Sequence, residues 1–250
     1  TYIYMAFKDT REYAFWLDDS GNNNDWQPNG GITTGSTVTD TPTPYADGGN
    51  YAVLNPLENV NTTYVGFSKG NLRVSMGTGV VASCWGTMVF PAGTFYFETT
   101  ILNVSGGTSV GISYGSNTYA DNGSKNITYV FNGSKTVLGT NTSYGAAYTT
   151  GDVIGVAVDT SSGTVTFYKN NVSQGLITNA AISTQSFRPN INNGTSGGYT
   201  LADANFGQRP FTYTPPTGFT RVTCQIRRLR MVVLILIRFY TRVMLSKIGR

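Results

Sequence analysis

The sequence contains no histidine and little charge, since Lys, Arg, Asp and Glu make up only 12% of its 250 residues. Without histidine the chain lacks the commonest general base and the commonest metal ligand, which excludes Ser-His-Asp and Cys-His mechanisms. Its two cysteines, Cys84 and Cys224, are isolated and have no zinc-type spacing, and we do not expect a disulfide between them. We therefore expect no metal site and no cofactor.

The net charge of +4 is unevenly distributed along the chain. Residues 221–250 hold eight of the 17 basic residues and none of the 13 acidic ones. The first 220 residues thus set nine basic against 13 acidic side chains, which leaves a weakly acidic body with dispersed charge. Such a body does not provide a nucleic-acid groove, so we expect no nucleic-acid partner.

The residues that are abundant favour an all-β protein. Gly occurs 30 times and Tyr 16 times, Thr, Ser and Asn are frequent, and residues 1–220 contain no amphipathic helical window. Short strands separated by turn residues predict an antiparallel β-sandwich or jelly roll. The candidate strands are Tyr64–Phe67, Leu72–Met76, Gly86–Phe90, Thr94–Leu102, Ser109–Tyr114, Ile127–Phe131, Val153–Val158, Thr164–Lys169, Phe187–Ile191 and Tyr199–Phe206.

Residues 151–175 give the clearest local pattern. An apolar, β-branched run from Val153 to Val158 is followed by the turn residues 159–163. Thr164 to Lys169 then alternate hydroxyl and apolar or aromatic side chains before a second turn at 170–171. Two strands bounded by turns in this way predict an antiparallel hairpin.

This hairpin resembles the signature hairpin of SPRY (B30.2) domains. The matching residues are Gly151, Asp152, Val153, Ile154, Gly155, Asp159, Gly163, Thr164, Phe167, Lys169, Asn170 and Gly175. Asn171 departs from the usual Gly, but Asn tolerates a positive φ. Thr94–Leu102, Phe187–Pro189 and Ala204–Gly207 resemble other SPRY strands, so the resemblance covers roughly residues 51–215 and implies a concanavalin A-like sandwich.

The alternative function is that of an enzyme related to glucanases, because concanavalin-like sandwiches include such enzymes. Glycoside hydrolysis normally needs two carboxylates flanking one bond, on same-face positions of a strand in these relatives. Glu98 is the only acid on its strand, and turn capping explains Asp152 and Asp159. The oxygen-rich run Asp18–Asp25 lacks the Gly position and the bidentate Glu of an EF-hand calcium loop. We therefore predict that the chain is not an enzyme.

The aromatic residues fall into two groups. Phe95, Phe97, Phe167 and Phe206 lie in candidate strands and are expected in the core. A second group lies in or beside loops rich in Gly, Asn and Ser, as in adaptable recognition surfaces. The predicted ligand-binding residues are Tyr114, Asn117, Tyr119, Tyr144 and Tyr148. The alternative is that these tyrosines cap the ends of the sandwich.

Three regions are expected along the chain. Residues 1–50 form an N-terminal extension and a connector rich in Pro, Gly and Thr, interpreted as the end of an upstream domain. Residues 51–220 form the SPRY-like sandwich. Residues 221–250 form a basic and apolar tail. Three interpretations of this tail are open, namely an amphipathic anchor, a buried strand and an out-of-frame product.

We interpret the tail as out of frame, because its codons permit a second frame that resembles the polar body. Its apolar run Met231–Ile237 is too short to cross a bilayer, so we expect no membrane insertion. The decisive observation is the nucleotide sequence of this segment.

The function implied by these features is non-catalytic recognition. Tyr2–Phe7 and Asp19–Trp26 resemble segments that precede SPRY modules in phage virion proteins. The resemblance implies a module of a phage tail-fibre or virion-surface protein, located on the virion and extracellular after assembly. Its expected partners are a host-surface glycan or protein and other fibre subunits. A purely architectural spacer is the remaining alternative.

Overall fold

The computed structural model describes residues 50–79, 81–115, 123–194 and 197–224, apart from the side chains of residues 50, 62 and 224. Within these ranges, strands dominate, beside a 3-10 turn at Thr62–Tyr64 and the short helix α1 (Ala181–Thr184). Two antiparallel sheets pack face to face, so the predicted all-β sandwich is confirmed. No helix in the described ranges is both long and apolar enough to span a membrane.

The first sheet has seven antiparallel strands. They are β2 (Leu54–Val60), β5 (Ala82–Gly86), β7 (Thr108–Tyr114), β8 (Asn126–Val130), β9 (Ser134–Val137), β10 (Thr140–Ser143) and β14 (Phe187–Asn193). Their order across the sheet is β10-β9-β8-β7-β14-β5-β2. Non-sequential neighbours such as β7 and β14 bring distant parts of the chain side by side.

The second sheet contains eight strands. They are β3 (Val65–Ser68), β4 (Arg73–Met76), β6 (Thr94–Val104), β11 (Val153–Asp159), β12 (Thr164–Lys169), β13 (Val172–Thr178), β15 (Thr200–Asn205) and β16 (Thr220–Arg221). Seven follow the order β13-β12-β11-β6-β15-β4-β3, and β16 pairs with β6 in parallel. A separate ribbon joins β1 (Asn50–Tyr51) to β17 (Thr223–Cys224).

The core lies between the two sheets because alternate residues of each strand point inward. The four phenylalanines expected there are confirmed, with exposed fractions of 8% or less at Phe95, Phe97, Phe167 and Phe206. Rings of Phe97 and Phe206 lie 5.7 Å apart between centroids. Together with the aliphatic side chains of the other sheet they form one continuous apolar cluster.

The signature hairpin is closed by a hydrogen-bonded clasp. Asn170 accepts a hydrogen bond from the Val153 backbone N–H at 2.8 Å and donates one to Asp152 at 2.6 Å. Lys169 lies 3.3 Å from the same carboxylate. Asn170 and Asn171 have φ of 48° and 69°, as a two-residue turn of the I′ type requires. The Asn171 departure from Gly is therefore tolerated in the turn between β12 and β13. The predicted hairpin itself is confirmed by the antiparallel pairing of β11 with β12.

The strand predicted at Gly86–Phe90 is wrong. The strand β5 instead occupies Ala82–Gly86, where all five residues are buried. A strand covered on both faces shows no alternation, so its sequence carries little periodic signal. The apolar run that follows is a loop in which the Phe90 N–H donates to the Phe187 carbonyl at 2.8 Å.

The described sandwich continues a few residues past the predicted boundary at residue 220. Val222 is buried, with an exposed fraction of 2%. Its N–H donates to the Phe206 carbonyl, and its own carbonyl accepts from Ala52, both at 3.0 Å. The predictions for residues 1–49 and for the tail from residue 225 onward lie outside the described residues.

Replacing Gly155 with alanine is expected to destabilise the central strands. A Cβ at Gly155 would stand 2.5 Å from the hydroxyl oxygen of Tyr96, whose buried ring packs edge-on against Phe211. We expect a loss of about 1–3 kcal/mol in the free energy of unfolding, measured by urea denaturation. Gly197→Ala is the matched control, because no heavy atom lies within 4 Å of the added Cβ. Equal stability of the two variants would contradict this account.

Acid is expected to weaken the fold partly through Asp203. Burial alone would raise the pKa of Asp203, but the hydrogen bond from Arg73 and the charges of Lys69 and Arg73 hold it below its usual range. A lowered pKa means that the ionised form stabilises the fold above the unfolded-state pKa of about 4.

This contribution is lost as the pH falls through the lower pKa of the folded state. The urea midpoint should therefore drop below about pH 4. Asp203→Asn should lower the midpoint at neutral pH and depend less on pH than the unmodified chain. Identical pH profiles for the two proteins would refute the role of this carboxylate.

Candidate functional site

Glu98, the lone acid of its strand that counts against an enzyme, is a structural anchor. It is 1% exposed, and its carboxylate accepts hydrogen bonds from the backbone N–H groups of Thr212 at 2.7 Å and Tyr213 at 2.9 Å. The Tyr96 hydroxyl donates a third at 3.2 Å. A buried carboxylate needs such partners. With its oxygens engaged in this way, Glu98 holds the chain segment that crosses the sheet.

Two of the predicted ligand-binding residues instead pack into the sandwich. Tyr148 is 2% exposed, and its hydroxyl lies within hydrogen-bonding distance of the carbonyls of Thr108 and Tyr129, at 3.1 and 3.0 Å. Tyr144 is half-buried, packs on Phe167, and donates its hydroxyl to the Gly175 carbonyl. Both side chains are therefore engaged within the protein and are not displayed for a ligand. This agrees with the alternative that the tyrosines cap the ends of the sandwich.

The titration behaviour of these tyrosines agrees with a structural role. Burial raises the pKa of Tyr144 to about 12, and burial also raises the pKa of Tyr148 well above its ordinary value. Both hydroxyls therefore stay neutral donors over the physiological range. Lys135 lies 4.9 Å from the centroid of the Tyr144 ring, which adds a cation–π contact at this edge of the sandwich.

Tyr114 is the predicted binding residue that remains partly exposed. It ends β7, and its ring packs edge-on against Phe187 with 5.1 Å between centroids. Asn117 and Tyr119 lie outside the described residues. Because Tyr114 lies opposite the inward-facing Phe187 in the pair of β7 and β14, its ring lies on the inner face of the sheet, at one end of the core.

The outward face of the same sheet brings together residues that the sequence analysis did not single out. In β14, Phe187 and Ile191 point into the core, so Arg188 and Asn190 face outward. Asn190 lies opposite Trp85 of β5. The Arg188 guanidinium carbon lies 5.4 Å from the centroid of the Trp85 ring. A charged side chain thus covers an indole on the outside of the sheet.

Arg188 is held by a bidentate ion pair with Glu58. Its Nη1 donates to Glu58 Oε2 at 2.6 Å and its Nη2 donates to the other carboxylate oxygen. The hydrogen bond from Arg188 lowers the pKa of Glu58, so the pair stays ionised at neutral pH. The side chains are 13% exposed at Arg188 and 38% exposed at Glu58.

Glu58 belongs to an arch that interrupts β2. The pairing of β2 with β5 shifts register between Leu54 and Asn59, which leaves the intervening residues outside the ladder. The Asn55 carboxamide accepts from the Leu57 N–H at 3.0 Å, and the Asn59 carboxamide donates to the Pro56 carbonyl at 2.8 Å. Leu57 is 94% exposed at the tip of this arch.

We define the Arg188 surface as Leu57, Glu58 and Arg188, which the arch and the bidentate ion pair bring together. Val89 is also exposed, at 51%, in the loop whose Phe90 N–H binds the Phe187 carbonyl. Exposed apolar side chains around a fixed ion pair suit recognition of another macromolecule. The described residues contain no group of three or more metal-ligating side chains.

The sequence offered only part of this surface. Arg188 belongs to a segment that resembles a family strand. Leu57 and Glu58 lie in a strand that the sequence did not predict, because Pro56 and the arch break the period of two. Exposure of a single leucine has no sequence signature at all.

Comparison with known proteins shows which family the central part of the sandwich matches. Residues 94–211 match the family model of the SPRY domain. Ran-binding protein 9 of Xenopus tropicalis is 35% identical over 165 residues, which covers 60% of this chain and 29% of that protein. Ran-binding protein 10 of Danio rerio is 34% identical and is covered over 27% of its length. The chain therefore spans less than a third of these relatives.

A solved structure agrees with the fold. The SPRY domain of human HERC1 aligns with a TM-score of 0.53 at 17% identity, covering 63% of this chain and 99% of that chain. At this identity the agreement concerns the fold alone. The predicted SPRY-type sandwich is thereby confirmed.

Glu98→Gln is expected to destabilise the protein. The substitution replaces a charged acceptor with an amide whose NH2 group faces donors, which costs about 1–3 kcal/mol in the free energy of unfolding. Urea denaturation measures this loss, and hydrogen exchange should quicken at the Thr212 and Tyr213 amides. Glu58→Gln removes a half-buried acid that is paired with Arg188, and it is the comparison for the loss of a side-chain ion pair, which should cost less. Unchanged stability and exchange would contradict the anchoring role.

Proposed function

Because residues 94–211 form a SPRY domain, a protein-interaction module, we propose that this chain binds a partner protein through the Arg188 surface. The observation that carries the proposal is the arch, which presents Leu57 almost fully exposed beside a fixed ion pair. The Asn55 and Asn59 carboxamides fix the backbone of the arch, so holding Leu57 in place on binding costs little backbone entropy.

The proposed role is recognition without catalysis. The lone carboxylate at Glu98 is occupied by backbone donors, and Glu58 is occupied by Arg188. Neither acid is left free to act with a second carboxylate on a substrate. This arrangement supports a binding module over a glucanase-like enzyme.

The relatives supply a first defined partner to test. Ran-binding proteins 9 and 10 are named for binding Ran, and the aligned region covers only part of each. We propose a Ran-type protein as one candidate partner, and a displayed library of random peptides as a second, unbiased probe. Both probes test protein recognition directly.

A phage tail-fibre or virion-surface role remains a prediction. The relatives named above are vertebrate Ran-binding proteins and lend it no support. A host glycan as ligand and location on a virion likewise remain predictions. Binding of the chain to a glycan array, with no binding to Ran or to peptides, would favour them over the proposed protein partner.

Leu57→Asp is expected to weaken partner binding by about tenfold or more, because it places a charge at a proposed anchor position. The measurement is the Kd of the full chain for Ran or for a selected peptide, by calorimetry. Leu57 is exposed, so the variant should fold normally.

Leu176→Asp is the matched control, since this leucine is 64% exposed on β13 of the other sheet. Its Kd should equal that of the unmodified chain. Equal weakening by both variants, or by neither, would overturn the assignment of the Arg188 surface.

A further inference from the structure

Beneath Arg188, buried side chains leave hydrogen-bonding atoms without partners, and we propose that they form a site for the amide groups of an extended peptide. This inference rests on the proposed function, because it assigns a ligand chemistry to the centre of the Arg188 surface. Three side chains on the outward face of the seven-stranded sheet carry it, namely Trp85, Asn190 and Asn192.

Trp85 provides a donor. Its side chain is 1% exposed, and its indole Nε1 has no hydrogen-bond partner among the described residues. The indole nitrogen can only donate. A buried donor without an acceptor is costly, so a carbonyl oxygen placed there by a ligand would be favourable.

Asn190 provides an acceptor beside that donor. It is fully buried and lies directly opposite Trp85 in the antiparallel pair of β14 and β5. Its Nδ2 donates to the Cys84 carbonyl at 3.0 Å, which fixes the orientation of the carboxamide. Its Oδ1 is left unpaired. A neighbouring donor and acceptor complement the C=O and N–H of one residue of an extended peptide, because these two groups point to the same edge of the strand.

Asn192 repeats the acceptor two residues along the same face. Its Nδ2 donates to Ser109 Oγ at 3.2 Å, and its Oδ1 is also unpaired within the described ranges. Two residues of a strand span about 6.6 Å, which is also the spacing of alternate N–H groups along one edge of an extended peptide. The geometry therefore favours a ligand strand that runs along β14.

Arg188 and Glu58 form the roof of this site. The guanidinium lies over the Trp85 ring and is fixed by the ion pair described above. A ligand must displace this roof to reach the atoms beneath it. Removing the guanidinium should therefore make the site easier to enter.

The test follows the indole N–H of Trp85 in the NMR spectrum of the full 15N-labelled chain. The probe is N-acetyl-asparagine N-methylamide, which carries backbone and side-chain amides. We expect a saturable shift of the Trp85 resonance, and tighter binding, by several-fold, in the Arg188→Ala variant. The Trp85→Phe variant assigns the resonance, and Trp16 and Trp26 serve as internal controls.

N,N-dimethylacetamide is the matched control probe, since it has a carbonyl but no N–H to reach Asn190. Absence of a saturable Trp85 shift in both the unmodified chain and Arg188→Ala would overturn the inference. An equal response to the control probe would also overturn it. If Trp85 responds as expected but Leu57→Asp leaves partner binding intact, the proposed function fails and the amide site stands.

Discussion

A single buried carboxylate ties the last part of the domain to its centre. Glu98 lies on the outward face of β6, and an ionised group in that position requires donors around it. The backbone N–H groups of Thr212 and Tyr213 meet this need, so the chain after β15 is drawn across the sheet. Phe211 then covers Tyr96, β16 pairs with β6, and Val222 enters the core. The closing segment of the sandwich thus depends on Glu98, the only acidic residue of its strand.

Local patterns determined how far the fold could be predicted from the sequence. The turn at residues 170–171, between β12 and β13, was predictable from the sequence. It requires positive φ values, which Asn adopts more readily than most residues. Strand β5 was missed because burial on both faces removes alternation. Tyr148 was misplaced for a different reason. Its loop is rich in Gly and Ala, yet its hydroxyl finds two backbone carbonyls inside the protein, and no local pattern reveals such distant partners.

The candidate site shows the same limit more strongly. The contact of Arg188 with Trp85 depends on the crossover that places β14 beside β5. The ion pair with Glu58 joins residues 130 positions apart. A scaffold of this kind can host many ligands, so its fold says less about the partner than the few side chains on one face.

The ribbon of β1 and β17 sets the two ends of the described domain side by side, with Asn50 opposite Cys224. Because its first and last strands are neighbours, such a domain connects to the rest of a longer chain at two adjacent points. It is therefore suited to being spliced into a surface turn of another fold, or to circular permutation, with little change to the host. A pull on both ends would break the residue pairs of the ribbon one after the other instead of shearing them together.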